Sequence, residues 1–72
     1  MIGLLWFDND QRKPLADKIR QAVDFYSAKY GGHPNVCLVN PKTIGEQTPR
    51  VDGVRVDTSK SIQVNHYFVG IE

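Results

Sequence analysis

Only one stretch of this chain carries the pattern of a long helix, yet two of its strand-like stretches, and the end of a third, are apolar on both sides. A sheet has two faces, and one helix shelters one of them. That mismatch limits the fold more than any motif does.

Ile2 to Asp8 is rich in leucine and aromatics and is too short for a helix. It reads as a strand ended by the polar run Asp8-Asn9-Asp10. Alternation puts Ile2, Leu4 and Trp6 on one face and Gly3, Leu5 and Phe7 on the other. Two apolar faces suggest a central strand in parallel pairing. Pro14 to Tyr30 reads as a helix, because Leu15, Ile19, Ala22, Val23, Tyr26 and Tyr30 recur with a 3.6 period. Proline suits the first turn, and Asp10 is a candidate cap for an earlier start. Gly31-Gly32 and His33-Pro34 stop the helix. Phe25 falls beside the stripe with no evident internal destination.

Val36-Cys37-Leu38-Val39 is a short buried strand, and with the first strand and the helix it forms a βαβ unit. Asn40 to Gly53 contains two prolines and two glycines. It is either a mobile loop or a short turn of helix pinned by Ile44. Val54 to Asp57 alternates, with Val54 and Val56 inward. Thr58-Ser59-Lys60-Ser61 reads as a turn. Ile62 to Ile71 reads as the last and longest strand, with Ile62, Val64, His66 and Phe68 on one face and Gln63, Asn65, Tyr67, Val69 and Ile71 on the other.

The expected fold is therefore a single α+β domain over residues 1–72. Its order is β-α-β-β-β, with one helix packed on one face of a four-stranded mixed sheet. The last two strands are expected to form an antiparallel hairpin. The final strand is expected beside the first, leaving the second and third at the edges.

A chain of 72 residues and 8.1 kDa buries little, and oligomerisation is a common source of stability at this size. The apolar face without a helix is expected to meet a second copy of the chain, since twofold self-association is the commonest way to cover such a surface. The expected interface residues are Leu5, Phe7, Phe25, Tyr67 and Val69, with Leu4 and Trp6 as the alternative set for the first strand. Short strands covered by the helix and the 40–53 loop are the competing arrangement.

Charge and cysteine usage narrow the function classes. Nine basic and eight acidic residues leave a net charge of +1, spread evenly along the chain. Electrostatic attraction to nucleic acid or anionic lipid is correspondingly weak. No apolar run is long enough for a membrane span, and the first residues lack the pattern of a secretory signal. The lone Cys37 suits a cytoplasmic setting and allows no internal disulfide.

Chemistry candidates cluster at the ends of the first two strands, where ligands collect in βαβ units. Asp8 and Asp10, with His66 as acid or base, could serve a small metal-dependent hydrolase. Asn9, Asn40 and Lys42 are candidate ligand-binding residues in the same layer. Capping of the following helix explains the same carboxylates without any ligand. Cys37, in mid-strand, reads as a small buried hydrophobe, and its spacing from His33 and His66 is not that of zinc ligands. No metal or cofactor is expected. A nucleic-acid accessory protein would place Trp6 and Phe7 against bases and Arg12, Lys13, Lys18 and Arg55 against phosphates. The sequence favours an interaction domain over both rivals.

Overall fold

The computed structural model describes residues 3–72. Ile2, assigned above to the first strand, lies outside the described residues. Strand β1 runs Gly3–Phe7, helix α1 Leu15–Tyr30, strand β2 Val36–Val39, helix α2 Pro41–Ile44, strand β3 Arg55–Thr58 and strand β4 His66–Gly70. The four strands form one mixed sheet in the order β1-β4-β2-β3, and α1 lies on one side of it.

Helix α1 begins after Pro14, whose extended ψ of 147° places it just outside the first turn. Asp10 does not cap it. Its Oδ1 instead accepts from the Arg12 N–H in the preceding turn. The helix stops at Gly31, which takes φ 79° and donates its N–H to the Ser27 carbonyl. A left-handed residue at that point closes the last turn with little steric cost only when it is glycine. Ile19, Ala22, Val23 and Tyr26 from α1 pack on Cys37, Val39, Tyr67 and Val69 from the sheet.

Strand order departs from expectation in three respects. β4 does lie beside β1, but it also pairs with β2, so it sits between the two parallel strands of the βαβ unit. β1 is consequently an edge strand paired antiparallel, not a central parallel one. β3 forms no hairpin with β4; it pairs in parallel with β2 and takes the other edge. With β1 on one side of β4 and β2 on the other, β4 has no free edge on which the expected hairpin with β3 could form.

The last strand is also shorter than its sequence pattern. Asn65 adopts φ 65°, and His66 N–H donates to the Gln63 carbonyl, so residues 62–65 form a turn before β4 begins. The Asn40 side chain ties that turn down by donating to the Ile62 carbonyl. Thr43 Oγ1 does the same by accepting from the Asn65 N–H.

The 40–53 segment takes the helical option. Asn40 caps α2 by accepting from the Lys42 N–H. Ile44 and Val51 join the core on the α1 side of the sheet. This segment therefore adds to the face already covered by α1.

Candidate functional site

Pairing register decides which side chains share a face. Leu5 stands opposite Phe68, Phe68 opposite Leu38, and Leu38 opposite Asp57. This row crosses the whole sheet on the side away from α1. Phe7 pairs with His66 on the same side, their rings 5.0 Å apart. Leu5 and Phe7 remain 55% and 53% exposed, whereas Leu38 and Phe68 are half-buried. The Phe68 ring lies against Gly3. A Cβ on Gly3 would stand 2.7 Å from Phe68 Cζ and 2.5 Å from the Val69 carbonyl oxygen, which leaves no room for one.

A shallow pocket of about 270 Å³ opens on this face, lined by Leu5, Ser61, Ile62, Gln63 and His66. The Val64 carbonyl accepts from His66 Nδ1 at 3.0 Å. The open face is thus an apolar surface with one imidazole, bordered at its far edge by Arg55 and Asp57.

The other expected interface residues sit elsewhere. Tyr67 and Val69 are fully buried in the core beneath α1. Leu5 pairs with Phe68, so the parity of β4 sends Tyr67 and Val69 to the helix side. Neither can touch a partner alongside Leu5. Phe25 does have an internal destination: its ring stacks on Trp6 at 4.3 Å, although it is still 46% exposed. Leu4 and Trp6 pack against the core, so Leu5 and Phe7 are the residues of β1 that face outward. Reasoning from sequence missed Phe68 and Leu38 as members of the open face. Alternation already grouped Phe68 with His66; what was missing was the register that brings both beside Leu5.

The carboxylate cluster is occupied by local hydrogen bonds. Asp8 Oδ1 accepts from the Asp10 N–H at 2.9 Å, and Oδ2 accepts from Lys13 Nζ at 2.9 Å. Lys13 also donates to Gln21 on α1. The Asp10 N–H bond, followed by Lys13, holds the Asp8 carboxyl below the usual 3.8. Asp10 is lowered as well, through the Arg12 N–H and the Arg12 side chain. His66 is at the same end of the sheet but on the opposite face from Asp8, so the three hydrolase candidates do not converge. Among the described residues no group of three or more His, Cys, Asp or Glu side chains is placed to hold a metal ion.

Asn40 and Lys42 do lie at the Asp8 end of the sheet. However, both Asn40 polar atoms are used within the fold, and Asn9 and Lys42 are exposed. Cys37 is fully buried, and that burial pushes its thiol up to about 12. Trp6 Nε1 and the Tyr67 hydroxyl are buried without a hydrogen-bond partner among the described residues. The basic residues proposed for phosphate contact are also engaged: Arg12 with Asp10, Lys13 with Asp8 and Arg55 with Glu72. Lys18 is buried.

A second shallow cleft of about 250 Å³ lies between α1 and the 51–52 turn, lined by Arg20, Val23, Asp24, His33, Val51 and Asp52. No helix among the described residues is long and apolar enough to cross a membrane. Comparison with protein-family models, with curated proteins and with solved structures finds no match.

Proposed function

We propose that this chain is a small interaction domain that assembles with a second copy through the apolar surface that Leu5 and Phe7 present on the side of the sheet opposite α1. The observation that carries this reading is the placement of Leu5 and Phe7. Two large apolar side chains stand more than half exposed on a face that neither α1 nor the 40–53 segment covers. Half-buried Phe68 and Leu38 lie behind them on the inner strands. Continuous apolar surface of this kind marks contact sites in small soluble domains. A twofold axis lets one patch cover itself.

Light scattering at micromolar concentration tests the reading. The expected mass is twice 8.1 kDa for the unaltered chain. Leu5→Asp and Phe7→Asp are each expected to shift the species to 8.1 kDa, because a buried unpaired carboxylate is strongly unfavourable. An unaltered chain that scatters as a monomer throughout overturns the proposal.

A further inference from the structure

We infer that the second copy joins through the outer edge of β1, strand to antiparallel strand, with the twofold axis at Leu5. This inference rests on the self-association proposed above and adds its geometry. Three observations converge on that edge.

The first is where the exposure lies. On the open face, the strongly exposed apolar residues of the sheet are Leu5 and Phe7, both on β1, while Leu38 and Phe68 on the inner strands are half-buried. On the helix side, exposed Phe25 leans on Trp6 of the same strand. Unsatisfied apolar surface thus flanks one edge from both faces. Stacking two open faces would leave Phe25 exposed; joining two β1 edges gathers all three residues at the seam.

The second is the backbone. Asp8 N–H donates to the Asn65 carbonyl on the β4 side, 3.0 Å away. Alternation along an antiparallel strand then directs the N–H and C=O of Leu4 and Trp6 toward β4, and those of Gly3, Leu5 and Phe7 away from it. Among the described residues no strand pairs with these outward groups. A row of outward donors and acceptors calls for an extended strand as its partner. Centring the twofold axis on Leu5 engages all three outward residues of each copy: Leu5 with Leu5, and Gly3 with Phe7 in both directions. It also sets the smallest residue opposite a large aromatic, which shields the bare Gly3 backbone. On the helix side the same register sets Leu4 opposite Trp6.

The third is the contrast between the two edges. β3 displays Arg55 and Asp57, 4.0 Å apart, and Arg55 also pairs with Glu72. Charge of that sort protects an edge from pairing. Gly3-Leu4-Leu5-Trp6-Phe7 has no charge, no proline and no bulge. Two such strands approach without like charges opposing each other.

The test is a synthetic chain carrying N-methyl-Leu5, which removes an outward N–H and leaves the β1–β4 ladder and every side chain intact. Its dimer dissociation constant, from sedimentation, is expected to rise on the order of 30-fold or more, since two ladder bonds vanish per dimer. Leu38→Lys, placed two strands from the edge, is expected to leave the dimer intact. A dimer that survives N-methylation and dissociates with Leu38→Lys overturns the edge contact and leaves association through stacked faces standing. An unaltered chain that is monomeric overturns both. Amide exchange of the unaltered chain gives an independent readout should the methylated chain fold poorly. Protection at Leu5 and Phe7 is expected to grow with protein concentration, and exchange independent of concentration overturns the inference.

Discussion

Asp8 shows how a residue that resembles a catalytic group serves the fold instead. Both of its oxygens accept hydrogen bonds from the segment that links β1 to α1, one from the Asp10 backbone and one from Lys13. Lys13 in turn reaches Gln21, so the carboxylate anchors the start of the helix to the end of the strand. Asp8→Asn keeps an acceptor for the backbone N–H and loses the ion pair. Its expected cost at pH 7 is about 1 kcal/mol, typical of a lost cap or charged hydrogen bond. The pH dependence has a definite sign. The folded state lowers this pKa below the usual 3.8, so it binds the proton less tightly than the unfolded chain. The stabilisation is therefore complete above the unfolded value and is lost as pH falls through the lowered folded value. Urea titrations are expected to separate the two proteins at neutral pH and to converge once the pH has fallen below the lowered folded value. A gap that persists in acid would mean that Asn disrupts packing and not charge.

The Asp8-Asn9-Asp10 run was legible in the sequence as a cluster at a strand end, and helix capping was one of its two readings. Its actual bonds hold the turn before the helix, because Pro14 displaces the helix start to Leu15. The separation of His66 from Asp8 was not legible. It depends on which face of β4 His66 occupies, and that is set by register with a strand sixty residues away.

At the scale of elements, local punctuation governs where structure stops. Gly31 ends α1 in the left-handed conformation with open space around the position of an added Cβ. Gly31→Ala meets no clash there, so its cost is conformational alone, about 1 kcal/mol, and Gly31→Asn is expected to cost less. Chemical denaturation of the two variants checks that ranking; equal stability for Ala and Gly would mean the helix end relaxes. β2 and the stripe of α1 were legible because each satisfies a simple period and has clear stops. The first half of the last predicted strand was not. Ile62 and Val64 alternate like strand residues, but positive φ at Asn65 and the bonds from Asn40 and Thr43 fold the segment into a turn. Those bonds span 22 residues, and no window of local sequence contains both partners.

At the scale of the whole molecule, β4 binds the fold together by pairing with β1 on one side and β2 on the other. Folding therefore requires the C-terminal strand to insert between two strands already linked by α1. Assembly through β1 would couple stability to concentration. For a dimer of this chain length, a hundredfold rise in concentration is expected to raise Tm by on the order of 10 °C. Calorimetry from low to high micromolar concentration checks this, and a constant Tm would count against association.

Periodicity and punctuation alone determined the class, the number of strands, the single long helix and the surplus of apolar surface relative to what that helix shelters. Those properties follow from side-chain spacing within each segment, which is local. The tertiary structure alone decided the strand order, and with it which residues became a surface. Strand order depends on which backbones find one another across long stretches of chain. Moving β1 from the centre to the edge set Leu5 and Phe7, expected on the face without a helix, along an exposed rim. Parity in β4 drew Tyr67 and Val69 into the core.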